Sequence, residues 1–239
     1  MLSLAALAGA QSPAFEVAAI HPNKSDSHSS HWDDHRSRMT ATNVSLQKLI
    51  AFAYQVHDFQ ISGPDWLRSQ HFDIQAEGAE WVNKTQRPLI IQNFLIERFK
   101  LALHREAKEL PIFALVTAKD GPKLQSVDPH GVSGISSGRG NMTLERASMK
   151  ELVDSLSQRV NRPIIDKTGL TGAFNGELHW TPDEQQSSSA MIAGDSAIEN
   201  VGPSLFTAIQ DQLGLKLIPQ RGQVELLVID HVEKVPTEN

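Results

Sequence analysis

The chain has 239 residues, of which 40% are hydrophobic, so it is long enough for one large domain or two small ones with a buried core. Its 22 basic and 28 acidic side chains give a net charge of -6, and the sequence has no dense Lys/Arg stripe that could neutralise a run of phosphates, so nucleic acid is not an expected partner. No stretch approaches the roughly 18 to 20 consecutive apolar residues of a membrane-spanning helix, which predicts no membrane span in the mature chain.

Residues 1–12 resemble the end of a secretory signal peptide. A short run of Leu and Ala ends at Ala8-Gly9-Ala10, a small-x-small pattern of the kind that signal peptidase cleaves, although a basic n-region is missing. An apolar N-terminal strand or helical turn is the alternative interpretation. The absence of Cys is compatible with export and does not argue for it. The segment predicts a periplasmic or secreted protein.

The segment after a predicted strand at residues 15–20 is a polar loop, residues 23–36, rich in metal-binding side chains. His28, His31 and His35 are the candidate ligands, with aspartates nearby. Imidazoles and carboxylates could together bind Zn, Ni or Cu if the loop wrapped around the ion. A solvated polar loop is the alternative, and the sequence otherwise predicts no cofactor.

Two parts of the chain resemble each other at an offset of 103 residues. Met39-Thr40 matches Met142-Thr143, and Ser45 matches Ser148. Later segments follow in the same order. We therefore predict an α+β fold of two tandem strand-helix-strand-strand-helix-hairpin repeats, residues 13–122 and 140–239, joined by a Gly-, Ser- and Pro-rich linker at 123–139.

Each repeat has a clear helix signal after its first strand. Ser45 and Ser148 are predicted N-caps, since a short hydroxyl side chain accepts from the unpaired amides of the first turn. Apolar residues at three- and four-residue spacing then form one face in each helix: Leu46, Leu49, Ile50 and Ala53, and Met149, Leu152, Val153 and Leu156. In the last hairpin, residues 220–223 are the predicted turn, with Gly222 free to take a positive φ.

Several stretches together resemble a known family. ISGPDWL, RPIIDKTGLTGAF, LHWTPDE and the terminal VIDHVEKVPTEN are similar to the soil-associated family of exported bacterial proteins, whose domain has no assigned function. The resemblance implies a location outside the cytoplasmic membrane. Each repeat is also similar, more distantly, to the short N-terminal domain shared by secretins and TonB-dependent receptors, a periplasmic protein-contact module. Likeness of fold does not convey function.

Asp166-Lys167-Thr168-Gly169 matches the tetrapeptide on which cation-pumping ATPases form an aspartyl-phosphate. Such an enzyme also needs a second Asp cluster for Mg, and the best imitation, around Asp195, follows without room for the intervening strand-helix units. Leu170 stands where the pump sequence has Thr. The interpretation we favour is a turn, in which Asp and Gly have their usual roles.

The leading hypothesis is a non-enzymatic exported module that binds an envelope protein or an extracellular ligand, as the sensing part of an envelope system, through strand edges and loops. The candidate contact residues are Trp66, Trp81, Asp166, Trp180 and Asp230. A hydrolase with a site between the two repeats is the first alternative, although Asp230 and His231 point to opposite faces of a strand. A metal-binding protein that uses the His-rich loop is the second.

Overall fold

A computed structural model describes residues 15–25, 29–35, 37–78, 86–182 and 202–237. Helices and open sheets are mixed along the chain, which confirms the α+β class. The chain divides into two compact units: the first unit is Met1–Lys108 with Glu225–Asn239, and the second unit is Glu109–Val224. The boundaries at 122 and 140 stay a prediction from the sequence. In the structure, each of two long strands, residues 102–117 and 215–231, contributes to both units.

The helices and strands of the first unit are, in chain order, β1 (Phe15–Pro22), β2 (His31–His35), β3 (Arg38–Ser45), α1 (Leu46–Tyr54), β4 (Ile61–Ser62), α2 (Trp66–Ser69), β5 (His71–Gly78), α3 (Gln86–Phe99) and the start of β6 (Ala102–Thr117). Four of these strands form an antiparallel sheet with the order β1-β5-β3-β2.

Helices α1 and α3 pack on each other and enclose the core of the first unit. The predicted apolar face of α1 is confirmed, since all four of its residues are fully buried. Aromatic rings fill the space beneath: Phe72 and Phe99 meet edge to face at 5.2 Å, and Phe94 lies 6.1 Å from Phe99. The core residue Leu227 comes from the far end of the chain, where it pairs in parallel register with Ile61.

The helices and strands of the second unit are the end of β6, β7 (Gln125–Val127), β8 (Gly134–Ser137), β9 (Asn141–Ala147), α4 (Met149–Val160), β10 (Ile164–Asp166), β11 (Ala173–His179), α5 (Leu205–Leu213) and the start of β12 (Leu215–His231). Four of these strands form an antiparallel sheet with the order β7-β11-β9-β8, which corresponds strand by strand to the order in the first unit. Its core includes the predicted face of α4, which is buried throughout.

The first helix of each unit begins in the same way. The predicted N-caps are confirmed: the hydroxyl of Ser45 accepts from the amide of Lys48, and that of Ser148 accepts from the amide of Glu151. In α4 the Glu151 carboxylate also accepts from the Ser148 amide at 2.7 Å, which completes a capping box.

The predicted closing hairpins are wrong. β6 runs through residues 102–117 and β12 through 215–231 as single strands, so residues 220–223 are extended. Gly222 is not needed there for a positive φ. A Cβ on Gly222 would lie 2.5 Å from the Cδ1 atom of Ile112, so the glycine allows the side chain of Ile112 to pack directly against the backbone at position 222.

Two segments expected to be loops contain strands. β2 lies within the polar segment 23–36, where it pairs with β3, and β7 and β8 lie within the expected linker, at the two edges of the second unit's sheet. Edge strands are often short and polar, which prevents their unpaired backbone groups from binding other chains, and such sequences resemble loops. The predicted insertion at 182–202 falls almost wholly outside the described residues.

No helix in the described part of the chain is long and apolar enough to cross a membrane.

Candidate functional site

A cavity of about 440 Å³ opens in the second unit beside the C-terminal end of α4 and the N-terminal end of α5. Its walls combine two kinds of side chain. Three are arginines, Arg139, Arg159 and Arg162, and most of the others are apolar, namely Phe113, Val160, Trp180, Pro182, Leu205 and Phe206. We call this the arginine pocket. Its size falls within the range of small-molecule sites in proteins, roughly 300 to 1,000 Å³.

Arg159 lies in the last turn of α4 and is held in place from two sides. Its Nη2 atom donates to the hydroxyl of Ser137 at 2.6 Å and to the carbonyl of Gly138 at 2.7 Å. Its guanidinium carbon lies over the ring of Trp180, 5.2 Å from the centroid. A cation over an indole face is attracted by the ring quadrupole, so the contact orients the charge without consuming its remaining N–H donors.

Trp180 follows β11 and is only 8% exposed. Its backbone amide donates to the carbonyl of Gly140 at 2.9 Å. A Cβ at position 140 would lie 2.7 Å from the Trp180 carbonyl oxygen, so this approach of the two backbones needs a glycine. The indole is thus a fixed wall of the pocket.

Arg162 follows the left-handed residue Asn161, which ends α4 at φ 48°. Its guanidinium carbon lies over the ring of Phe113 at 4.9 Å. The Phe113 ring in turn meets Phe206 edge to face at 5.3 Å. Phe206 is in the first turn of α5 and remains 45% exposed, so one aromatic surface of the pocket is open to solvent.

Among the described residues, the charged side chains that line the arginine pocket are all positive. Its lining within the described residues includes no Asp or Glu, and in the same part of the chain neither Arg159 nor Arg162 forms an ion pair. Arg221, in the same unit, does have one, with Glu109. A guanidinium group without a counter-charge suits bidentate recognition of a carboxylate or phosphate. The site can therefore hold an anion.

Of the predicted contact residues, Trp180 lines this pocket, and Trp66, Asp166 and Asp230 are not among its lining residues. Trp66 begins α2 and packs half-buried against the core of the first unit. The Asp166 carboxylate accepts from the amide and hydroxyl of Thr168 at 2.8 and 2.7 Å, which is the turn that we favoured. The Asp230 carboxylate accepts from Nδ1 of His104 at 2.8 Å, and both side chains are about half exposed. Trp81 lies outside the described residues.

The predicted metal ligands are only partly described. His28 lies outside the described residues, and the structure gives only the backbone of His35, at the end of β2. His31, at the start of β2, lines a small cavity of about 290 Å³ with Trp32, Lys48 and Phe52. Across the described ranges, no three His, Cys, Asp or Glu side chains lie close enough to hold a metal ion.

Sequence reasoning missed Arg159, Arg162 and Phe206. A partial signal was present for Arg159: the helical positions three and four residues before it hold Leu156 and Ser155, so neither can neutralise it. Two arginines three residues apart at a helix end, with no ion pair among the described residues, favour a ligand site. No pattern in the sequence connects them to Phe113 or Phe206.

Residues 47–232 match the model of a protein family described as a protein of unknown function, DUF3738. This match covers most of the chain. The chain belongs to this family. All residues that line the arginine pocket fall within the family's matched region. Neither the curated proteins nor the solved structures include a significant match to the chain.

Proposed function

We propose that the protein is a non-enzymatic binding module, exported from the cytoplasm, which holds an anionic ligand in the arginine pocket of its second unit. The observation that carries the proposal is the pair formed by Arg159 and Arg162. Both guanidinium groups are held over aromatic rings beside one cavity, and neither is neutralised by a carboxylate in the described part of the chain. Fixed donors that face an open cavity are the means by which proteins bind carboxylates and phosphates.

The attraction is local. With a net charge of -6, the chain as a whole repels anions at long range, so binding must come from the guanidinium groups themselves. The affinity for the anion should therefore fall with added salt by the amount expected for one or two charged contacts with arginine, because salt ions screen partly exposed charges.

Export and duplication are further parts of the proposal. The small-x-small pattern at Ala8-Gly9-Ala10 and the resemblance to exported bacterial proteins support a periplasmic or secreted location. The matching sheet orders and the two serine caps support a duplicated unit of the kind found in secretin N-terminal domains. We infer that the ligand belongs to an envelope protein or to the medium outside the cell, and that the module serves a sensing system there.

Titration calorimetry with benzoate tests the binding function, with benzylamine as a cation of similar size. We expect benzoate to bind and benzylamine to give no signal. Arg162→Ala should weaken benzoate binding at least tenfold, because the anion loses its paired donors. Arg221→Ala is the matched control, since it removes an exposed arginine of the same unit that already has a carboxylate partner.

Equal binding of benzoate and benzylamine, or an Arg162→Ala protein that binds benzoate as tightly as the wild type, would contradict the proposal. Export has its own test. Mass spectrometry of the protein from fractions of the native host should find a processed N-terminus in the envelope or the medium. A cytoplasmic protein that still begins at Met1 would refute that part alone.

A further inference from the structure

The arginine pocket is much larger than an inorganic anion needs. A carboxylate or phosphate group occupies only a small part of 440 Å³, and most of the remaining wall is apolar. Pockets that are mainly apolar, with a few fixed polar groups, bind the body of a ligand by burial and orient it with the polar contacts. The ligand must therefore have an apolar body as well as a charge.

Phe206 indicates the shape of that body. Phe206 is 45% exposed, although its ring meets that of Phe113 edge to face. Exposing a large rigid aromatic side chain beside a cavity costs free energy unless a ligand covers it, and flat aromatic groups pair with such rings at offset-stacked or edge-to-face distances. Phe206 therefore provides a contact for a planar ring.

The arginines indicate the charged group. Arg159 uses Nη2 to bind Ser137 and Gly138, which leaves Nε and Nη1 without a hydrogen-bond partner in the described residues. The Arg162 guanidinium has only its ring contact there. A carboxylate is planar and matches two N–H donors of one guanidinium, and it sheds its water more readily than a dianionic phosphate does when it enters an apolar site.

We propose that the ligand is an aromatic ring that bears a single carboxylate, with the acid at Arg162 and Arg159 and the ring against Phe206. This inference rests on the proposed function and narrows its ligand class. Two sources supply this chemistry: a free aromatic acid, and the carboxyl-terminal Phe, Tyr or Trp of a partner protein. Both present a planar ring a few bonds from one carboxylate.

Calorimetry with four probes tests the ligand class: 3-phenylpropionate, acetate, phenyl phosphate and inorganic phosphate. We expect 3-phenylpropionate to bind at least tenfold more tightly than acetate and more tightly than phenyl phosphate. Phe206→Ala should reduce the advantage of 3-phenylpropionate over acetate to about threefold or less. Phe52→Ala is the matched control, because Phe52 is 40% exposed, belongs to the first unit and is not one of the residues that line the arginine pocket.

The outcomes separate this inference from the proposed function. If acetate or inorganic phosphate binds as tightly as 3-phenylpropionate, the ligand is not aromatic, although anion binding remains supported. The same conclusion follows if Phe206→Ala keeps the wild-type preference for 3-phenylpropionate over acetate. Tighter binding of phenyl phosphate would overturn the carboxylate. If none of the four anions binds, the proposed function itself fails.

The peptide Gly-Gly-Gly-Phe, with a free or an amidated C-terminus, then distinguishes the two sources. A free peptide that binds more tightly than 3-phenylpropionate, with no binding of the amide, supports a protein C-terminus. A free peptide that binds more weakly than 3-phenylpropionate supports a small acid. Equal binding of the free and amidated peptides would count against recognition of the carboxylate.

Discussion

The side chain of Asn175 accepts a hydrogen bond of 2.8 Å from the backbone amide of Arg146, which has a left-handed conformation at φ 47°. The first unit has the same arrangement, in which Asp73 accepts from the amide of Asn43 at 2.9 Å and Asn43 is at φ 55°. The register of each strand pair shifts beside these residues. A side chain from the neighbouring strand thus stabilises the irregular backbone that leads into the first helix of each unit.

Asn175→Ala should therefore destabilise the protein. The Arg146 amide would lose its acceptor, and an unsatisfied, partly buried donor costs about 1 to 3 kcal/mol of unfolding free energy. Asn175→Asp is the matched control, because it keeps an acceptor oxygen and reproduces the residue of the first unit. Urea unfolding followed by circular dichroism measures both variants. An alanine variant as stable as the aspartate variant would contradict this role for Asn175.

Glu151 should make stability depend on pH. The backbone amide of Ser148, and then its hydroxyl, hold the pKa of the Glu151 carboxyl below its ordinary value by donating to the charged form. Because the folded pKa is lowered, the stabilisation is fully present above the unfolded pKa of about 4.3 and is lost as the pH falls through the folded pKa.

Glu151→Gln removes this titration. Urea unfolding at a series of acidic pH values should show a stability difference between wild type and Glu151→Gln that is constant above about pH 5 and shrinks below about 4.3. In Ser148→Ala the loss of stability at acidic pH should be smaller, because the hydroxyl no longer lowers the pKa of Glu151 while the backbone amide still does. A difference that grows as the pH falls would show that the carboxylate has the opposite role.

Two helices end on residues that a glycine would suit. Gln55 ends α1 at φ 54°, and Asn161 ends α4 at φ 48°. The left-handed conformation costs an ordinary L-residue roughly 1 to 2 kcal/mol, and Asn tolerates it better than Gln. Gln55→Gly should raise the thermal midpoint, and Asn161→Gly should raise it less. The reverse order in differential scanning calorimetry would count against this explanation.

Tyr54 is the single tyrosine of the chain, so an alkaline absorbance titration reports on it alone. Burial raises the pKa of its hydroxyl, and the positive charge of Arg105 partly opposes the shift. Arg105→Ala should therefore move the titration to still higher pH. Because the folded pKa is raised, stability is lost as the pH rises from the unfolded value of about 10 through the folded one, and Tyr54→Phe should abolish that loss.

The sequence predicted well the elements that local chemistry decides. Ser45 and Ser148 cap their helices because each hydroxyl directly precedes the helix and accepts from an amide of its first turn. The α4 face of Met149, Leu152, Val153 and Leu156 is buried because the 3.6-residue period places these apolar residues on one side of the helix. The Asp166 turn was also predictable, since its hydrogen bonds join residues two positions apart.

Features that depend on distant chain were not predictable. Gly222 looked like a turn residue, and its actual role is set by Ile112, more than a hundred positions away. The arginine pocket has the same origin: Arg162 meets Phe113, and Phe113 meets Phe206, across separations that leave no periodic signal. His104 and Asp230 lie 126 positions apart in the sequence, and only strand pairing joins them.

The division of the chain sets an order of events during synthesis. Residues 109–224 are one continuous piece, whereas the first unit needs both residues 1–108 and residues 225–239. Leu227, 1% exposed in the core of the first unit, leaves the ribosome after the whole of the second unit. The first unit can therefore complete its core only after the last part of the polypeptide has been made, which prolongs the exposure of its apolar residues during folding.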